Sequence, residues 1–155
     1  MHETQFKIRS TQVDSFGHLN NAAYLEIYEW ARWEWAEDFG MGLEAQAKEK
    51  RIGPAVLHVD LSFFKELVMH ETITVRTWVD GNEGLKGFVC QEMIKADGAV
   101  ASHMRMTFVM FHLDKRRVVS MPEAMLANGD ADADYAAMRR AQPRSVKAAS
   151  PCQKD

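Results

Sequence analysis

The chain has 155 residues, an apolar content of 46% and a formal net charge of −3. That length fits one domain with a substantial core, and the charge gives no reason to expect nucleic acid or an anionic membrane as a partner. The sequence does not open on a basic segment followed by an apolar core, and no apolar run is long enough to span a bilayer, so cytoplasmic residence is the expectation.

In chain order, Phe6, Ile8 and Ser10 alternate with Lys7 and Arg9, which predicts a half-buried strand. It delivers the chain to the stretch Thr11 to Asn21, TQVDSFGHLNN. Gly17 supplies a tight turn there, and Asn20 and Asn21 both suit a helix N-cap. From Ala22 to about Phe39 the period becomes helical. Tyr24, Ile27, Tyr28, Ala31 and Trp35 share one face, Glu26, Glu29 and Glu37 gather on the other, and Gly40 and Gly42 end the run. A charged link from Glu44 to Arg51 precedes Gly53-Pro54 and a strand in which Ala55, Leu57, Val59, Leu61 and Phe63 alternate with Val56, His58, Asp60, Ser62 and Phe64. After a turn at Leu67 to Glu71, a β-branched strand carries Ile73, Val75, Thr77 and Val79. Asp80 to Gly84 reads as a hairpin connection, Leu85 to Lys95 as the next strand, Ala96-Asp97-Gly98 as a turn and Ala99 to Phe111 as the return. A last hairpin at Asp114 to Arg117 leads to a short strand at Val118 and Val119.

One strand, one long helix and an antiparallel meander predict an α+β layer with the helix covering a sheet face. Beyond about Asn128 the apolar period fades. Tyr135 to Arg140 suits a turn or two of helix, and a division into a domain at 1–127 and a partly disordered tail at 128–155 is expected. Cys90 and Cys152 share no CxxC or Cys/His spacing, so neither a disulfide framework nor a metal site is expected; Cys90 reads as a small buried apolar residue.

Asp14 is the chemical centre of the loop. A carboxylate before a helix start is often only a cap or turn former. It can also act on an acyl group held at the helix N-terminus, where unpaired N–H groups and the positive end of the dipole polarise a carbonyl oxygen. The pattern D-x-x-G-H-x-N-N-x-x-Y-L, carried by Asp14, Gly17, His18, Asn20, Asn21, Tyr24 and Leu25, resembles the 4-hydroxybenzoyl-CoA thioesterase branch of the hotdog-fold superfamily. The element order continues the likeness from Phe6 to Met125, through Met121-Pro122-Glu123. The resemblance implies a hotdog fold, an antiparallel sheet wrapped around one long central helix. It also implies an acyl-CoA thioesterase in which Asp14 attacks the thioester or activates water as a general base, and the backbone N–H near Asn21 polarises the carbonyl.

On the same resemblance, Gly17, His18 and Asn20 shape the substrate-side loop, with His18 organising it by hydrogen bonding. Tyr24 is a core residue that can also border the acyl pocket. Another branch of the superfamily uses a helix glutamate, but Glu26 and Glu29 lie on a charged, solvated face. His58, Asp60 and Ser62 on one strand face are either solvated or the polar wall of a site shared between protomers, since hotdog sites form between chains. A homodimer is therefore expected as the minimum unit, and a homotetramer is compatible with the pattern. Coenzyme A is part of the substrate and no other cofactor is expected. With no Walker or GxGxxG loop, its phosphates are assigned to Lys86, Arg105 and Arg116, which also suit an ordinary surface role. The alternatives are a thioesterase acting on acyl groups of an acidic carrier protein, and a non-catalytic acyl-CoA binding protein.

Overall fold

The structure, a computed structural model, describes residues 1–141. Strand β1 (His2–Lys7) and a 3-10 turn (Ser10–Gln12) precede helix α1 (Asn21–Asp38). A short helix α2 (Leu43–Ala45) runs into a π-type turn (Gln46–Lys50). Then come β2 (Ile52–Phe63), β3 (Thr72–Glu83), β4 (Lys86–Ile94), β5 (Val100–His112), β6 (Arg117–Val119) and helix α3 (Glu123–Ala141). All pairings are antiparallel, in the order β1-β3-β4-β5-β2, with β6 on β5. This is the α+β hotdog fold that the sequence predicts, a curled antiparallel sheet against one long helix.

Helix α1 begins and ends where its sequence dictates. Asn20 is its N-cap, and its side-chain oxygen accepts from the Ala23 N–H at 3.0 Å. At the other end Gly40 takes φ +62, the Gly40 N–H donates to Glu37 O and the Met41 N–H to Ala36 O. These are the paired bonds of a Schellman stop, with buried Met41 closing the apolar contact. Between the caps Ala23, Tyr24, Ile27, Tyr28, Ala31, Trp35 and Ala36 are buried against a sheet face built from Ile73, Val75, Met93, Met104 and Met110.

A polar layer lies inside this apolar contact. Buried Gln91 donates through Nε2 to Tyr28 O at 3.0 Å and Thr77 Oγ1 at 2.9 Å, and its Oε1 accepts from Arg32 at 2.8 Å. The Tyr28 hydroxyl pairs with Ser102 Oγ at 2.6 Å, and burial holds its pKa far above the ordinary tyrosine range. Buried amides and hydroxyls cost free energy unless paired, so this set fixes the rotation of α1 on the sheet.

Two expectations are corrected. The single alternation predicted along β2 breaks at Leu57, because Val56 pairs with Phe108 while His58 pairs with Thr107, leaving Leu57 as the extra residue of a bulge. The face assignments on either side of Leu57 therefore do not join into one series. The second concerns residues 128–141, expected to lie in a partly disordered tail with a turn or two of helix at Tyr135 to Arg140. They continue α3 without interruption, while residues 142–155, with Cys152, lie outside the described residues.

The reason for α3 is a gap in the sheet. Strand β1 covers β3 only from Thr72 to Thr77, so the stretch beyond has an open edge. There α3 supplies the missing partner, with Asp132 Oδ2 accepting from the Val79 N–H at 2.9 Å. Tyr135 meets buried Trp78 edge-on with ring centroids 5.2 Å apart, Ala136 packs beside them, and Arg139 pairs with Glu92, whose side chain is 2% exposed.

Arg139→Ala would leave the Glu92 carboxylate buried without its countercharge. A loss of roughly 3 kcal/mol is expected, the order seen when one partner of a buried pair is removed. Ending the chain after Ala141 should leave stability unchanged. Urea denaturation of both variants checks the contrast.

Candidate active site

The loop before α1 is tied at both ends by a buried glutamine. Gln12 Oε1 accepts from the Arg9 N–H at 2.9 Å, and Gln12 O accepts from both the Asn20 N–H (2.9 Å) and Asn20 Nδ2 (2.8 Å). Asn20 thus uses one end of its amide to cap α1 and the other to hold the start of the loop. Inside this clamp, bridges Val13–Leu19 and His18–Val68 flank a tight turn. The Asp14 N–H donates to His18 O at 2.8 Å, the Gly17 N–H to Asp14 O at 3.0 Å, and Gly17 takes φ +78. A residue with a Cβ takes that φ at a steric cost, and glycine does not.

Asp14 is exposed, and its oxygens do different things. Oδ1 accepts from the Phe16 N–H at 2.9 Å and the His18 N–H at 3.2 Å, which makes Asp14 the turn former of its own loop. Among the described residues Oδ2 takes no hydrogen bond, so one carboxylate oxygen is committed to structure and the other is open. His18 holds the loop through its backbone, while its imidazole lies 3.7 Å from the Glu66 carboxylate. Phe16, at the loop tip, is 82% exposed.

Asn21 is the first residue of α1, and by position its N–H and that of Ala22 have no intrahelical partner. One turn further on, Tyr24 is buried, with its ring edge-on to Phe63 at 4.9 Å. Burial first, then the Glu71 and Glu66 carboxylates, raise its pKa and keep the phenol neutral. Asp14, Gly17, His18, Asn20, Asn21 and Tyr24 therefore belong to one locality around the start of α1.

The other nominated residues do not join it within one chain. His58 and Asp60 pair across β2 with Thr107 and Arg105, on the sheet face opposite the α1 core. Arg105 is engaged there, donating to Asp80 Oδ2 at 2.9 Å and lying 4.1 Å above the Phe88 ring. Lys86 opens β4, and Arg116 sits in the β5–β6 hairpin, 5.0 Å above the Phe111 ring. Both are at the far end of the sheet, since the Asp14 loop is fastened to Leu67 and Val68, beside the start of β3. Glu26 and Glu29 are exposed on α1. The sequence reading passed over Gln12 and Phe16: a lone glutamine carries no motif, and an aromatic next to glycine carries no sign of which way it faces. Among the described residues no group of three or more His, Cys, Asp or Glu side chains is arranged to hold a metal ion, and no helix is long and apolar enough to cross a membrane.

Residues 8–129, which include this loop and every strand after β1, match the model of the thioesterase-like superfamily. The chain belongs to that superfamily. Among the thioesterases similar to it is the long-chain acyl-CoA thioesterase FadM of Escherichia coli strain K12, 26% identical over 120 residues that cover 77% of this chain and 89% of that one. The crystal structure of Slr0204, a 1,4-dihydroxy-2-naphthoyl-CoA thioesterase from Synechocystis, matches with a TM-score of 0.74 at 13% identity, covering 83% of this chain and 96% of that one. SAV2348 of Staphylococcus aureus, solved in complex with CoA, matches with a TM-score of 0.73 at 18% identity, over 96% of this chain and 94% of that one. Such low identities carry the fold alone. Family membership, together with relatives named as thioesterases, assigns this chain as a thioester hydrolase.

In this thioesterase Asn20 is the hinge of the loop, so its two contacts can be separated. Asn20→Ala removes both and is expected to cost about 1–2 kcal/mol, the upper range for a lost N-cap. Asn20→Asp keeps the cap but gives up the donor to Gln12 O, and should fall between wild type and Asn20→Ala. Chemical denaturation of the set reads the order.

Proposed function

We propose that the chain hydrolyses the thioester of an acyl-CoA, with Asp14 as the working carboxylate and the Asn21 end of α1 as the carbonyl-polarising group. The observation that carries this reading is the division of labour within Asp14. Its Oδ1 is fixed by the Phe16 and His18 N–H groups, which aims the carboxylate, and Oδ2 stays open beside a capped helix start. The likeness to FadM supports a long-chain acyl group.

With the thioester oxygen on the N–H groups of the first turn of α1, charge that develops on it meets preorganised donors and the positive end of the dipole. Oδ2 then follows one of two routes. As nucleophile it adds to the carbonyl carbon, the C–S bond breaks, the thiolate departs and takes a proton from solvent, and water hydrolyses the acyl-aspartate anhydride to the free acid and the Asp14 carboxylate. As general base it takes a proton from water, which adds to the carbon and expels the same thiol.

The proposal includes a second copy of the chain. Strand β2 pairs with β5 alone and presents Val56, Leu57 and Phe63 at 53%, 56% and 49% exposure. A long apolar strand edge of this kind is an open template for pairing. Antiparallel pairing of β2 with its copy would set the Ile52 end of one chain beside the Phe63 end of the other. The partner's Lys86 and Arg116 would then approach the Asp14 loop, where the phosphates of coenzyme A need cations, and His58 and Asp60 would stand along the seam.

Asp14→Asn should fold as wild type and lose turnover by about a hundredfold or more, while binding a non-hydrolysable acyl-CoA analogue unchanged. Free thiol release and titration of the analogue measure the two. Turnover near wild type would remove Asp14 from the chemistry, and a wild-type chain that binds acyl-CoA without turnover would make it a binding protein.

Leu57→Glu places a charge on the proposed seam without emptying the core. The expected result is a smaller species in sedimentation velocity, together with loss of hydrolysis. A monomer with full activity would show that each chain carries a complete site.

A further inference from the structure

Two segments far apart in the sequence meet at the end of the sheet away from the Asp14 loop. Residues 44–51 run from α2 through the π-type turn, and residues 112–118 form the β5–β6 hairpin. The Leu113 N–H donates to Arg51 O at 2.7 Å, Ile52 pairs with His112, and Arg51 Nε lies 3.2 Å from Asp114 Oδ2. Together the two segments carry Lys48, Lys50, Arg51, Lys115, Arg116 and Arg117, all exposed, against three carboxylates, those of Glu44, Glu49 and Asp114. Glu44 is taken by Lys48 and Asp114 by Arg51.

Two features separate this cluster from scattered surface charge. Among the described residues three other than glycine hold a positive φ, and two of them are Arg51 (+56) and Arg116 (+49). Glycine or asparagine takes that backbone at less cost, so arginine stands there in spite of its backbone. Both guanidinium groups are also held in place, Arg51 by Asp114 and Arg116 at 5.0 Å above the Phe111 ring. The second feature is contrast. Helix α1 presents Glu26, Glu29, Glu34 and Glu37 to solvent and no exposed Lys or Arg. On a chain of net charge −3, an acidic macromolecule is repelled by that helix face and drawn to the cluster. Leu113 and Val118, 37% and 40% exposed among the cations, add apolar contact for a protein surface.

We infer that this end docks a small acidic carrier protein, which brings the acyl group as a thioester on a phosphopantetheine arm. The inference rests on the reading of Asp14 and of the β2 seam given above. Antiparallel pairing of β2 sets the Ile52 end of one chain, where the cluster stands, beside the Phe63 end of its copy and hence beside the Asp14 loop of that copy. A carrier seated on the cluster of one chain would pass its arm to the site of the other. The phosphates of coenzyme A need only the cations nearest the arm, whereas a protein surface spans Lys50, Lys115 and Arg117 as well.

An acidic acyl carrier protein, either loaded with a hexadecanoyl group or with its arm ending in a free thiol, tests the inference beside hexadecanoyl-CoA. The triple variant Lys50→Gln, Lys115→Gln, Arg117→Gln alters exposed side chains only and leaves Lys86 and Arg116 in place. It should lower kcat/KM for the loaded carrier about tenfold, through KM, and change that for hexadecanoyl-CoA by less than about twofold. Calorimetric titration with the free-thiol carrier should show binding to wild type and about tenfold weaker binding to the variant. Because this titration involves no hydrolysis, its failure is distinct from a failure of the Asp14 reading, which turnover by Asp14→Asn decides. Absence of carrier binding to wild type, unchanged affinity in the triple variant, hydrolysis of hexadecanoyl-CoA but not of the loaded carrier, or an equal fall on both substrates would each overturn it, the last by making the cluster a seat for coenzyme phosphates.

Discussion

The Asn20 carboxamide is the contact on which the rest of the site depends. Its oxygen closes the first turn of α1 through the Ala23 N–H, and its nitrogen holds Gln12 O. One planar group thus sets the spacing between the chain entering the loop and the helix leaving it. Everything between, the Asp14 carboxylate included, is confined to the few backbone paths that fit that span. The energy of each bond is modest, about 1 kcal/mol. What matters is that both bonds run through one rigid amide, so the loop cannot drift without uncapping the helix.

The sheet extends this logic to the molecule. Its two outer strands are treated differently. Beyond Thr77, where β1 stops, Asp132 and the aromatic contacts of α3 close the edge of β3. The edge of β2 is left apolar and open, with a bulge that turns Leu57 outward. The stretch of β3 that β1 does not reach is thus covered by the chain's own helix, whereas the apolar edge of β2 is bare, consistent with the proposed seam.

Local chemistry was legible in the sequence, and long-range register was not. Gly17, Asn20 and the helical period of Tyr24 to Trp35 act within a few residues, and the turn, cap and buried face they predict are all present. The bulge at Leu57 was invisible because valine, leucine and histidine fit a strand equally well before and after one inserted residue. Helix α3 was underread because what fixes it is not an apolar stripe: Asp132, Arg139 and Arg140 dock on Val79, Glu92 and Asp80, and such polar residues in a tail look like solvated composition. The placement of the cations nominated for coenzyme phosphates was hidden for a similar reason. Lys86 and Arg116 were chosen by charge and element, and only the register shows that they stand at the other end of the sheet from Asp14.

The order in which the chain leaves the ribosome gives α3 one more consequence. Translation delivers β1, α1 and the whole meander before residues 123–141 emerge, so the sheet can assemble while Trp78 and the Glu92 carboxylate still face water. The segment that carries their partners is made only after the whole sheet. A ribosome stalled before α3 emerges would hold out a nearly finished sheet with the β2 edge and the stretch of β3 beyond Thr77 unguarded, the state in which strands find the wrong neighbours.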